Sequence, residues 1–141
     1  MNLDDIHNGA RVFIDANVLF SAAYKPGSHI GDLWSLKDVE LVTSLYAAEE
    51  ARRNLMARCP DRVGALDGLL SKVSVVPGAV TGALPNGMQL PDKDVPVLPA
   101  AVGAGCTHLL TGDARHFGNL YGKTVLGVLI QTPAQNIRRQ A

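Results

Sequence analysis

Short β-branched runs alternating with helical segments predict an α/β fold, a three-layer α/β/α sandwich around a mainly parallel sheet. Three observations carry that expectation. Apolar runs at 11–14, 39–43, 73–76, 107–111 and 125–130 are short and stop at Asp, Ser, Gly or Pro-containing turns, as buried strands do. The segments between them repeat apolar residues at helical spacing. A chain of 141 residues with 47% hydrophobic residues can bury one core and little more. One domain is therefore expected over 1–141, with its core at about 11–134.

Arg11-Val12-Phe13-Ile14 reads as the first strand, ending at Asp15-Ala16-Asn17. Val18 to Tyr24 follows as a helix, broken by the turn cluster Lys25-Pro26-Gly27-Ser28. Ile30 to Lys37 suits a helix through Ile30, Leu33, Trp34 and Leu36, and 39–43 a second strand. Ser44 is placed to cap a helix running to about Ala57. Asp61 to Ser71 has Val63, Leu66, Leu69 and Leu70 on one face, and 73–76 is a short strand before Pro77. The stretch 78–90 is rich in Gly and Pro and reads as loop. Pro91-Asp92-Lys93-Asp94 opens a helix that stops at Gly103-Ala104-Gly105. A strand at 107–111 ends at Gly112-Asp113, a last strand covers 125–130, and the tail 134–141 suits a short helix.

The chain carries 13 basic and 13 acidic residues, so no global positive field advertises a polyanionic partner, and any nucleic-acid surface must be a local patch. Cys59 and Cys106 have no metal-ligand or redox spacing, and Cys106 lies in an apolar stretch that suits a buried thiol. The N-terminus lacks an apolar targeting region, and no stretch approaches the ~20 apolar residues of a membrane span. A soluble, cytoplasmic protein without a membrane partner is expected.

Four carboxylates stand where one element gives way to another or on the helices that follow: Asp15, Glu50, Asp94 and Asp113. In parallel sheets ligands bind beyond the carboxyl ends of the strands, and Asp15 and Asp113 are both predicted there. Glu50 lies in the helix after the second strand and Asp94 near the start of the helix before the fourth. Carboxylates gathered in one cleft repel and raise each other's pKa unless a cation offsets them. Hard oxygen donors suit Mg²⁺ or Mn²⁺.

The motifs carrying these acids resemble those of PIN-domain nucleases. Phe13-Ile14-Asp15-Ala16-Asn17-Val18-Leu19 with Ser21-Ala22 is similar to the family's opening strand, and Leu41-Val42-Thr43-Ser44 with Glu49-Glu50-Ala51-Arg52-Arg53-Asn54-Leu55 to its second strand and acidic helix. Asp92-Lys93-Asp94-Val95-Pro96-Val97-Leu98 and Leu109-Leu110-Thr111-Gly112-Asp113-Ala114-Arg115-His116-Phe117 resemble the third and fourth acidic motifs. Gly27-Ser28 and Thr132-Pro133-Ala134 are similar to small bacterial members of the VapC toxin type. The resemblance runs in order from about Val12 to about Ala134. It implies a PIN-like fold and an endoribonuclease whose acids Asp15, Glu50, Asp94 and Asp113 hold one or two Mg²⁺ or Mn²⁺ ions. It also implies an RNA substrate, an antitoxin partner and a homodimer.

Several residues have competing roles. Asp15 at a strand end could simply cap the next helix. Glu49 neighbours Glu50 but points about 100° away around a helix; Glu50 is preferred because it flanks the apolar face beside Ala47 and Ala51. Asp92 competes with Asp94 as a helix cap. Pro96 and Pro99 depart from the family pattern, and proline costs about 3 kcal/mol beyond a first turn, so that helix is expected to start late or kink. His116, beside Phe117, is read as structural or phosphate-contacting rather than catalytic. Arg52, Arg53, Arg115, Lys123, Arg138 and Arg139 are candidate phosphate contacts competing with scattered surface charge, and Ser28 and Ser44 candidate cleft residues. Two other classes compete: a non-catalytic PIN scaffold, whose mark would be a lost acid, and a phosphoacceptor receiver domain. The latter expects adjacent acids after the first strand and a lysine after the last, which Asp15-Ala16-Asn17 and Ile130-Gln131-Thr132 do not supply.

Overall fold

A computed structural model describes residues 9–25, 27–77 and 97–133. Its sheet is built from β1 (Arg11–Ile14), β2 (Glu40–Ser44), β3 (Ser74–Val76), β4 (His108–Leu110), β5 (Thr124–Val125) and β6 (Val128–Gln131), in the order β3-β2-β1-β4-β6-β5. Every pairing is parallel except β5 with β6. The helices are α1 (Ala16–Tyr24), α2 (Leu45–Arg58), α3 (Val63–Leu70), α4 (Val97–Gly103) and α5 (Ala114–Phe117).

Strand alternation sorts the core into two layers. Val12, Ile14, Leu41 and Leu110 face one side and pack with Val18, Leu19, Leu55 and Leu66 from α1, α2 and α3. Phe13, Val42, Leu109 and Ile130 face the other and pack with Leu98, Ala101 and Phe117 from α4 and α5. The expected three-layer sandwich is the one observed. Buried Ala47, Ala48 and Ala51 keep the inner face of α2 small, and α2 packs most extensively against α1.

The register places β1 between β2 and β4: Phe13 is level with Val42 on one side and Leu109 on the other. The chain moves from β1 outward to β2 and β3, then returns to β4 across β1. Strand order therefore reverses between β1 and β4, the position at which open α/β sheets place their ligand crevice.

Local corrections follow from local chemistry. The segment around Ile30 to Lys37 is a 3₁₀ helix at His29–Ser35 rather than an α-helix; Gly31 and Asp32 are poor formers of a longer one. Asp61 to Ser71 splits into a 3₁₀ turn at Pro60–Arg62 and α3. The single strand expected at 125–130 is a hairpin, because Leu126 and Gly127 both take positive φ, 50° and 86°. That pair of values is the two-residue turn that matches strand twist. α1 begins two residues before the expected Val18, and α5, one turn long, had no counterpart in the sequence reading. Pro99 is the third residue of α4 as described and is buried. The loop at 78–90, the acids Asp92 and Asp94, Pro96 and the tail from Ala134 lie outside the described residues. Among the described residues, no helix is long and apolar enough to cross a membrane.

Candidate functional site

Asp15 and Asp113 stand just beyond the carboxyl ends of neighbouring strands. The Asp15 N–H continues the ladder by donating to the Leu110 carbonyl at 3.1 Å, and Thr111 N–H donates to the Gln131 carbonyl at 3.1 Å. Asp15 is only 5% exposed. Its Oδ1 accepts the Ala16 N–H at 2.7 Å and its Oδ2 accepts the Thr111 hydroxyl at 2.7 Å. The capping role weighed for Asp15 is therefore real, and it uses one oxygen. Each carboxylate oxygen has two lone pairs, so capping leaves further acceptor capacity on both.

Thr111 is fully buried and joins the two acids. Its hydroxyl donates to Asp15 and accepts the Asp113 N–H at 3.2 Å. Replacing Thr111 with Val keeps the shape and removes both bonds, taking a donor from a buried carboxylate oxygen and an acceptor from the Asp113 amide. The expected loss is about 1–3 kcal/mol in metal-free denaturant unfolding. A loss within a few tenths of a kcal/mol would mean that the hydroxyl does not couple the acids.

Asp113 precedes α5 as its N-cap without spending its side chain on a cap bond. Its Oδ2 instead lies 2.6 Å from His116 Nδ1, one turn later on the helix. His116 is thus placed to hold the Asp113 carboxylate. Asn17 Oδ1 accepts the Gly112 N–H at 3.0 Å and ties the start of α1 to the loop carrying Asp113.

Glu50 is the sixth residue of α2, which starts directly after β2. Ser44 caps that helix as expected, accepting the Ala47 N–H at 3.0 Å. At 1.5 Å of rise per residue, Glu50 sits roughly 8 Å along the axis. It is half-buried, whereas Glu49 is exposed. Burial pushes the Asp15 carboxyl above the ordinary carboxylate range; the bonds from Thr111 and Ala16 pull it down, and the charges of Glu50 and Asp113 push it up further. Asp15 and Asp113 share one rim through Thr111, and of the two neighbouring glutamates Glu50 is the less exposed. Asp94 lies outside the described residues.

The rim suits a hard divalent cation in donor chemistry and in charge: all candidate ligands are carboxylates, and the most buried one resists ionisation without a counter-charge. Among the described residues no three His, Cys, Asp or Glu side chains close into a metal cage. Mg²⁺ does not require one, since it ordinarily keeps several waters and takes one or two carboxylates plus substrate phosphate.

Tyr121 was not anticipated. Its hydroxyl donates to the Thr111 carbonyl at 2.9 Å. Burial raises its pKa, the Thr132 hydrogen bond lowers it, and Asp113 and Asp15 raise it again. Nothing in its sequence neighbourhood marks it. Of the candidate phosphate contacts, Arg52 is held by Asp67 at 2.7 Å, and Arg138 and Arg139 lie outside the described residues. Ser28 Oγ is buried with no hydrogen-bond partner among the described residues. Burial pushes the Cys106 thiol up to about 11, which makes it the inert core thiol expected from sequence.

A concavity of about 540 Å³ lies at the amino ends of β2 and β3, lined by Asp38, Glu40, Ser71 and Ser74 among others. Glu40 there is engaged by Arg11 and by Ser74 at 3.1 Å. It is at the opposite end of the strands from the crevice position, and size alone does not outweigh the acids gathered at the switch point.

No family model matches the sequence, and no curated protein matches it. Solved structures do share the fold. A chain of VapBC2 from Rickettsia felis, bound to a DNA fragment from its promoter, superposes with a TM-score of 0.65 at 16% identity, covering 86% of this chain and 98% of that one. VapBC-1 from nontypeable Haemophilus influenzae gives 0.58 at 14% identity over 86% and 97%. VapC20 of Mycobacterium tuberculosis, a sarcin-ricin loop cleaving toxin, gives 0.55 at 15% identity over 73% and 90%. The fold is PIN-like, as the sequence resemblance implied.

Proposed function

We propose that this chain is a Mg²⁺- or Mn²⁺-dependent endoribonuclease and the toxin of a toxin–antitoxin pair. The observation that supports it most is the pairing of buried Asp15 with Asp113 through the Thr111 hydroxyl at the strand-order reversal. The fold shared with VapBC and VapC structures supports the choice of RNA as substrate and of an antitoxin as partner.

Asp15 and Asp113 would hold the cation, with Glu50 and Asp94 completing its shell directly or through water. When bound, such an ion supplies an activated water for in-line attack and neutralises charge on the phosphoryl oxygens. The protein's own contribution is aim. Thr111 fixes the carboxylate plane of Asp15, His116 fixes Asp113, and the Asn17 bond to Gly112 holds the two loops together. Working as a cytoplasmic homodimer is part of the same reading.

The test is cleavage of single-stranded RNA by the purified protein with Mg²⁺ or Mn²⁺ against EDTA, run with Glu50→Gln and Glu49→Gln. Cleavage is expected only with metal. Glu50→Gln should lower the rate or raise the metal requirement about 10–100-fold, the usual cost of disturbing a metal's surroundings, while Glu49→Gln behaves as the parent. Cleavage that persists in EDTA overturns the metal mechanism. An inert parent protein leaves the non-catalytic scaffold standing, and equal effects of the two glutamate changes would remove Glu50 from the site.

A further inference from the structure

We propose that Tyr121 is a positioning residue for the divalent cation: its hydroxyl clasps the ends of β4 and β6 and holds the Thr111 bridge on which the aim of Asp15 and Asp113 depends. This rests on the metal reading of the rim given above and extends it to a residue outside the acid set. The Tyr121 hydroxyl donates to the Thr111 carbonyl at 2.9 Å, one residue past the end of β4. Its single proton is then spent, so its hydrogen bond with Thr132, one residue past the end of β6, is one it accepts.

Thr111 is the residue this clasp immobilises. Its N–H donates to the Gln131 carbonyl at 3.1 Å, its hydroxyl donates to Asp15 Oδ2 at 2.7 Å and accepts the Asp113 N–H at 3.2 Å, and its carbonyl takes the Tyr121 proton. All of its polar groups are engaged, and it has no exposed surface at which water could replace one of them. The N–H belongs to the rigid peptide plane before Thr111 and the carbonyl to the plane after it. The bond to β6 fixes the first plane. The second is held at its oxygen by Tyr121 and at its nitrogen by Asn17, which accepts the Gly112 N–H at 3.0 Å. With both planes set, the backbone torsions of Thr111 are set, and a β-branched side chain is stiff about χ1. The direction of the hydroxyl that joins the two acids is thereby decided.

The clasp has a fixed footing. The Tyr121 ring packs against the layer that contains Phe13, Phe117 and Ile130. Its main chain is tied to β6 on the C-terminal side: Gly122 N–H donates to the Ile130 carbonyl at 2.8 Å, and Ile130 N–H donates to the Lys123 carbonyl at 3.0 Å. A phenylalanine would serve that packing equally well. What the phenolic oxygen adds is the pair of bonds to Thr111 and Thr132, so its contribution is orientation rather than burial. Metal sites feel such outer partners, whose loss ordinarily costs about 10–100-fold in affinity. A tyrosine that only filled the layer would leave the cation indifferent to its hydroxyl.

The test is Mn²⁺ binding to the RNA-free protein, read from the electron paramagnetic resonance signal of free Mn²⁺, with RNA cleavage measured alongside. Tyr121→Phe should raise the Mn²⁺ dissociation constant about tenfold. It should raise the Mg²⁺ concentration for half-maximal cleavage by a similar factor and leave the KM for RNA unchanged. In a Thr111→Val background the same change should cost under about twofold, because residues acting through one shared group are not additive. Tyr24→Phe should bind Mn²⁺ as the parent does. The ring survives in Tyr121→Phe, and thermal melts check that the fold does too. If it does not fold, Thr132→Val, which removes the donor behind the hydroxyl, should weaken Mn²⁺ in the same direction, and no change there overturns the clasp. A folded Tyr121→Phe that binds Mn²⁺ like the parent, or losses that multiply in the double variant, also overturns it. A parent that binds no Mn²⁺ fails the metal reading, and the clasp falls with it. A parent that binds Mn²⁺ but leaves RNA uncut fails the nuclease reading alone, and the binding data then decide the clasp.

Discussion

Asp15→Asn is expected to abolish metal-dependent RNA cleavage, by about 100-fold or more, the scale on which one electrostatic participant acts, and at the same time to raise the thermal stability of the metal-free protein at pH 7. The two effects share a cause. Asp15 is buried beside the charges of Glu50 and Asp113, so its proton is held more tightly in the folded chain than in the unfolded one. For a carboxyl with a raised folded pKa, the stabilising contribution is complete below the ordinary value near 3.9 and is lost as pH rises through the folded value. At neutral pH the ionised group is a net cost, tolerated because the site needs it. Asparagine keeps the Ala16 bond through its carbonyl, and Thr111 can turn its hydroxyl to accept from the amide. Melting curves in EDTA should show the variant more stable at pH 7, with the gap closing toward pH 4. A variant less stable at pH 7, or one that still cleaves, would remove Asp15 from the centre of the site.

That residue also shows what the sequence disclosed and what it withheld. Asp15 was legible because an apolar run of β-branched residues stopped at it, and the same pattern exposed Asp113. Both inferences need only strand periodicity and the rule that parallel sheets bind ligands at their carboxyl ends. Glu50 over Glu49 followed from helical phase, since the inner face of α2 is set by Ala47, Ala51 and Leu55. What stayed hidden depends on contacts between distant segments. The Thr111 hydroxyl reaches Asp15 across 96 positions in sequence. Tyr121 reaches the rim through its bond to the Thr111 carbonyl ten positions earlier, and a continuous apolar run disguised the turn at Leu126 and Gly127.

Phe117→Ala is expected to cost about 3–5 kcal/mol, the usual range for emptying a fully buried aromatic position. Phe117 has no exposed surface and anchors the layer that contains Phe13, Leu98, Leu109 and Ile130. Natural domains hold only about 5–15 kcal/mol in total, so the melting temperature should fall by roughly 10–15 °C. The site should suffer beyond the global loss. α5 is four residues long, far too short to persist on its own hydrogen bonds. Its hold on the domain is the Phe117 ring, with the Phe117 N–H closing back on the Asp113 carbonyl at 2.9 Å. With the ring gone, His116 loses its fixed station and Asp113 its orientation, so cleavage should drop even well below the melting temperature. Phe117→Leu fills most of the same space and should cost under about 1.5 kcal/mol, recovering most of the activity. Thermal melts and RNA cleavage on the two variants separate these claims. If Phe117→Ala melts with the parent, this layer is not core; if it is destabilised yet cleaves at the parental rate in the cold, α5 does not aim Asp113.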